Sequence, residues 1–221
     1  MYGPFLVLGS FLLYLLTLAP SVTFWDSGEL IAASSQLGIS HQPGYPLFAV
    51  MGRLFSLIPL GAVAYRINLL SAFFSALSVY LLYRVILEIY ASPIAPLPGE
   101  TEADSGALAS SGKGDNIPAA VAASFAVVLA AVRVFWSQAV VTEVYALNSF
   151  FILILVFLYV SASKGRLSPQ QYFPLSGFTF GLGVVNHQSL ILYLPALALG
   201  WLLLPGLNAR GRLRSPRRRP H

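Results

Sequence analysis

The sequence predicts an all-α, polytopic membrane helix bundle of about six transmembrane helices, and three observations lead there. Hydrophobic residues make up 57% of the 221 and charged residues only 10%, whereas a soluble domain needs roughly a quarter charged residues to cover its surface. Uncharged apolar runs approaching the roughly 20 residues that a helix needs to cross a bilayer recur along the chain. Six of the thirteen Lys and Arg crowd between Arg210 and Arg219, and basic segments beside membrane helices stay cytoplasmic. Such a tail touches anionic membrane lipid; a nucleic-acid partner would need a larger basic surface, so that class is discounted. The absence of cysteine excludes disulfides, thiolate metal sites and cysteine nucleophiles.

The elements follow in order. Residues 2–19 lack the basic n-region and small-residue cleavage site of a signal peptide, so they are expected to stay as a first membrane helix. The second span is expected at 67–87, the third at 118–135 with Pro118 in its first turn, and the fourth at 144–162. The fifth, 172–185, is short, and its Gly177, Gly181 and Gly183 suggest close helix packing. The sixth, 189–205, precedes the basic cytoplasmic tail 206–221, so residues 1–205 read as one transmembrane domain. Residues 91–117 are rich in Pro, Gly and Ser, with too few apolar groups to order themselves, and read as a flexible cytoplasmic loop.

Residues 44–62 are long enough to span but carry Arg53 near the middle, where a charge is expensive. Leu47, Phe48, Met51, Leu54, Phe55 and Ile58 recur at helical spacing on one face, with Ala49, Gly52, Arg53 and Ser56 on the other. That pattern suits a helix lying in the membrane interface. With it flat, 91–117, the Lys164/Arg166 loop and the tail share the cytoplasmic side, and 20–65 becomes a long extracytoplasmic loop.

Three polar clusters then fall at the extracytoplasmic face: FWDSGEL with ISHQPGYP, FWSQAVVTEVYALN, and VVNHQS. Such a convergence marks the candidate site. Asp26 and Glu29, three apart, share a helix face, where burial would raise a carboxylate pKa toward that of a general base. The same spacing is a capping box, with Asp26 at the N-cap and Glu29 at N3, and spacing leaves both readings open. His41 and Tyr45 occupy a turn made rigid by Pro43, Gly44 and Pro46; the histidine binds a phosphate or an acceptor hydroxyl, or is a solvated loop residue. Glu143 opens the fourth span beside Tyr145 and Asn148, a place the helix dipole alone would favour for an acid. Asn186, His187 and Gln188 join spans five and six, as binding groups or as a tight polar turn, and Arg66 either neutralises a lipid phosphate or snorkels to the interface. No metal-ligand spacing, phosphate-cradling glycine loop or serine nucleophile elbow occurs.

WDSGELIAASSQLGISHQPGYPLF, then RINLLSAFFSALSVYLLYR, then TEVYALN and GLGVVNHQS resemble, in that order, a family of polytopic proteins that includes the animal O-mannosyltransferase of the endoplasmic reticulum. The resemblance implies a GT-C fold whose first extracytoplasmic loop carries short interfacial helices and a catalytic acid. It implies a polyprenyl or dolichyl phosphate sugar, mannose by preference, as donor, a hydroxyl on protein or glycan as acceptor, and no nucleotide or tightly bound cofactor. On this analogy Asp26 is the general base with Glu29 competing, while His41, Arg66 and His187 contact phosphate or sugar and Glu143 orients donor or acceptor. Relatives continue into further helices and often a soluble region, so the chain is expected to be a truncated product. A transporter is the first rival, although polar groups at one face fit it less well than groups at the midplane. A noncatalytic membrane scaffold is the second. The short, arginine-rich, cysteine-free character favours a bacterial inner membrane over the endoplasmic reticulum.

Overall fold

The computed structural model describes residues 2–90 and 117–203, all helical or irregular. The loop expected at 91–117, apart from Ile117, and the tail 206–221 lie outside the described residues. The helices are α1 (Gly3–Leu16), α2 (Ser27–Gln36), α3 (Pro46–Ser56), α4 (Val63–Tyr90), α5 (Ile117–Ala131), α6 (Arg133–Ala139), α7 (Val144–Ser163), α8 (Pro169–Asn186), a 3₁₀ helix (Gln188–Tyr193) and α9 (Leu194–Leu203).

The central element is α4, 28 residues long, against which α1, α5 and α7 pack. Among its buried residues are the small groups Ser71, Ala72, Ser75, Ala76 and Ser78, which let neighbouring backbones approach closely. Facing it, α5 presents Ala122, Ala126 and Ala130, four apart and all buried. The fully buried Tyr14 of α1 donates its hydroxyl to Ala130 O at 3.1 Å. Two residues on, the helix breaks where Val132 is extended (φ −65°, ψ 130°). The third span, expected as one helix over 118–135, is therefore two helices bent by 66°. A side chain taking a carbonyl from the ladder is a recognised cause of such a bend.

By length and composition only α4 and α7 among the described helices can each cross a membrane, and α5 with α6 makes a third if the bent pair is one span. The expectation of about six is corrected to that extent. The first run ends as a helix at Leu16, where the chain turns so that Ala19 N–H bonds Val140 O at 2.9 Å. The fifth begins earlier than expected, behind a Ser168/Gln171 capping box, and Gln170, Gln171, Ser176 and Thr179 dilute its apolar character. The sixth divides into the 3₁₀ helix and α9. Of the three glycines expected to pack, only Gly183 does so: a Cβ there would strike Leu190 and meet Phe151 at 3.2 Å, whereas Gly177 and Gly181 have nothing within 4 Å.

The 11 residues of α3 rise about 16 Å, half a hydrocarbon core, so this helix alone does not cross. Its two expected faces are corrected, because both are used in packing. Phe48 on the apolar face is fully buried with Leu47, Met51 and Phe55 against its cluster, and Ala49, Gly52 and Ser56 are buried as well. At Gly52 a Cβ would lie 2.5 Å from Ser34 Oγ, so glycine permits the crossing of α2 and α3. Arg53 fastens that crossing by donating to Ser35 O at 2.6 Å.

Candidate functional site

The ends of α4, α7 and α8 that lie against α2 and α3 bring residues of the three polar clusters together. Asp26 stands at the N-cap of α2, yet its side chain makes no cap hydrogen bond. Glu29 reaches away from the helix start instead: one carboxylate oxygen accepts from the His41 backbone N–H, and the other lies 3.0 Å from His41 Nδ1. The pair is therefore not a capping box. With Nδ1–H donating to Glu29, Nε2 of His41 faces the Tyr45 hydroxyl at 3.2 Å and Asp26 Oδ2 at 3.9 Å. Hydrogen bonds from the His41 side chain and backbone hold the Glu29 carboxyl below its ordinary range. Asp26, 60% exposed at its side chain, keeps its carboxylate open.

The backbone here is held in unusual conformations. Trp25, immediately before Asp26, and Tyr45 itself have positive φ (67° and 42°), a region that costs non-glycine residues energy and recurs at functional sites. The Tyr45 ring lies nearly parallel to His187, centroids 5.6 Å apart and planes 9° apart, and Tyr145 approaches the same imidazole at 5.6 Å. Burial, then the neighbouring Tyr145 phenol and the carboxylates of Asp26, Glu143 and Glu29, pushes the Tyr45 phenol up, so it keeps its proton. Burial pushes His187 down. Its Nδ1 accepts from the Ser189 N–H at 3.2 Å and lies 2.7 Å from Ser189 Oγ, which puts the ring hydrogen on Nε2.

Glu143 is 8% exposed at the N-cap of α7. Among the described residues no cation lies within ion-pair distance of it. Burial first, then the charge of Asp26, pushes its carboxyl up to about 7, against the opposing Val144 amide and His41. Asn148 Nδ2 lies 3.4 Å from Ser189 Oγ, and Asn186 Nδ2 donates to Val144 O at 3.3 Å. The carbonyl oxygens of both amides are buried without a hydrogen-bond partner.

Two expected residues fall outside this cluster. Arg66 donates to the carbonyls of Leu60, Gly61 and Ser56 at 2.8, 2.8 and 3.0 Å, clasping the turn between α3 and α4. Gln188 opens the 3₁₀ helix exposed and makes no hydrogen bond to the cluster. Of the residues that fix Glu143, Thr142 stood in the second polar cluster, but Asn68 and Ser71 of α4 were not legible beforehand. A polar residue in an apolar helix reveals its partner only in three dimensions, although Asn68 and Ser71, polar positions three apart in a long apolar span, were a usable signal.

Fold and site together define a polytopic all-α membrane protein with carboxylates, imidazoles and tyrosines gathered at one end of its bundle. Residues 26–205 match TMEM260_N, described as the Protein O-mannosyl-transferase TMEM260 N-terminal domain, and the chain belongs to that family. It is 32% identical over 193 residues to the Protein O-mannosyl-transferase TMEM260 of Mus musculus, covering 86% of this chain and 24% of that protein. To the Protein O-mannosyl-transferase tmem260 of Dictyostelium discoideum it is 26% identical over 206 residues, covering 87% and 22%. The chain thus spans about a quarter of the length of these relatives. No solved structure matches. Because both relatives are eukaryotic, the preference for a bacterial inner membrane finds no support and is withdrawn.

Proposed function

We propose that this chain forms the catalytic end of a membrane mannosyltransferase that moves mannose from a polyprenyl or dolichyl phosphate to a protein hydroxyl. The reaction would occur on the extracytoplasmic side, in the lumen of the endoplasmic reticulum. The observation that carries this reading is the division of labour between the two loop acids: His41 occupies Glu29, while Asp26 stands open beside the same imidazole. Asp26 is then the general base. The acceptor O–H proton passes to its carboxylate, the acceptor oxygen bonds the anomeric carbon, and the carbon–oxygen bond to the lipid phosphate breaks with its electron pair leaving on the phosphate.

The other groups suit binding. His187 Nε2–H is a donor for a phosphate or sugar oxygen, and the exposed Tyr145 ring offers an apolar face to a sugar, while Tyr45 braces His41 through its hydroxyl and His187 through its ring. Glu143 faces the same space and orients a hydroxyl of donor or acceptor. Family membership and the relatives' names support the sugar and acceptor class; the basic segments, cytoplasmic by the positive-inside rule, support the side. The test supplies membranes holding the full chain with radiolabelled mannose either on polyprenyl phosphate or on a nucleotide. Label should reach protein from the lipid alone. Transfer from the nucleotide with a lipid-synthesis inhibitor present would sink the donor assignment.

A further inference from the structure

We infer that Asn68 is the positioning residue of this site: one buried carboxamide ties the segment leading into Asp26 to the segment carrying Glu143, and so sets their spacing. The inference rests on the reading of Asp26 as the base.

Asn68 lies fully buried on α4. Its Nδ2 donates to Ala19 O at 2.8 Å and Ser21 O at 3.2 Å, the carbonyls that begin the approach to Asp26. Its Oδ1 accepts from Thr142 Oγ1 at 2.5 Å, one residue before Glu143. Both amide hydrogens and the oxygen are therefore committed, and they reach two chain segments more than a hundred residues apart in sequence. One helical turn further along α4, the Ser71 hydroxyl lies 3.4 Å from both the N and the O of Glu143. Asn68 touches none of the groups assigned to substrate, so its influence passes through the backbones it holds. No other residue type supplies two donors and an acceptor at this reach: Asp lacks the donors and Leu lacks all three.

The absence of cysteine permits a direct distance measurement in the full chain. Cysteines replacing Phe24 and Ser149 carry spin labels, one beside Asp26 and one on α7 beyond Glu143. Asn68→Ala should broaden and shift the distance distribution. Thr142→Val, which releases one arm and preserves shape, should broaden it less, and serves where Asn68→Ala does not fold. Ser78→Ala is the control, since that buried hydroxyl bonds only Phe74 O of its own helix at 2.8 Å; it should leave the distribution unchanged. In chains without labels, Asn68→Ala should lower kcat for mannose transfer roughly a hundredfold, the scale on which a 1 Å misplacement acts, with KM nearly unchanged. An unchanged distribution in a folded Asn68→Ala or Thr142→Val chain overturns the inference. So does a broadened distribution with transfer intact. A chain silent before any substitution overturns the enzymatic reading instead, and the distances still report whether Asn68 holds the two segments.

Discussion

Glu88 and Glu143 are buried glutamates at opposite ends of the bundle, and the fold treats them differently. Glu88, 3% exposed near the end of α4, accepts from Arg166 Nη1 at 2.8 Å across the loop between α7 and α8. Glu143, 8% exposed, faces another carboxylate and has no cation within ion-pair distance among the described residues. Burying a charge is expensive unless it is paired. The first acid is therefore an architectural clasp, while the second holds a proton loosely at a place where hydroxyls would be handled. Among the described residues the Glu88 carboxylate is paired with Arg166, whereas at the other end the carbonyl oxygens of Asn148 and Asn186 are buried without a partner.

The comparison breaks most visibly at Arg166. Arg166→Ala leaves Glu88 buried and unpaired and should lower stability by about 2 kcal/mol, below the full penalty of a buried pair because Arg166 is 51% exposed. Thermal unfolding in detergent measures it, and Glu88→Gln in the Arg166→Ala background should recover part of the loss. A loss no larger than that of an exposed alanine substitution would make the clasp decorative.

Glu143→Gln should act in the opposite direction. Its folded carboxyl titrates near 7, above the ordinary 4.5, so the folded state binds more protons between those values. Its contribution to stability is then greatest below pH 4.5, declines as pH rises toward 7, and stays low above it. The glutamine chain should match the parent near pH 4.5 and exceed it by roughly 1 to 2 kcal/mol at pH 8. A difference that grows as pH falls would contradict the assigned direction.

The smallest effect on stability belongs to His41. The Glu29 carboxyl lies below its ordinary range because of His41, so the stabilisation it lends is present above the unfolded value and is lost as pH falls through the folded one. Both side chains are well exposed, and His41→Ala should move the melting temperature by little more than the scatter of repeats. Mannose transfer should nevertheless fall roughly tenfold or more as Glu29 is released to compete with Asp26. Equal losses of stability and transfer would make His41 a structural residue alone.

The sequence made the helical class and the convergence of residues from three polar clusters legible, because apolar runs punctuated by polar ends carry that information directly. Backbone breaks were not legible. The break at Val132 has no proline or glycine, only the charged Arg133 following it, and the side chain that holds the Ala130 carbonyl there, Tyr14, is 116 residues away in sequence. The Asp-x-x-Glu spacing fitted a capping box as well as a reactive pair until Glu29 was found bonded to His41, twelve residues away. Arg66 appeared available to a phosphate because its carbonyl partners belong to a turn whose shape no periodicity encodes.

The most direct test is mannose transfer from polyprenyl-phosphate mannose to protein, measured for the full chain beside Asp26→Asn, Glu29→Gln and Glu88→Gln at matched amounts of folded protein. Loss of transfer in Asp26→Asn to background, with partial loss in Glu29→Gln and near-parent activity in Glu88→Gln, is the predicted result. Retained transfer in Asp26→Asn, or equal loss in all three, would contradict the assignment of chemistry to the open end of the bundle.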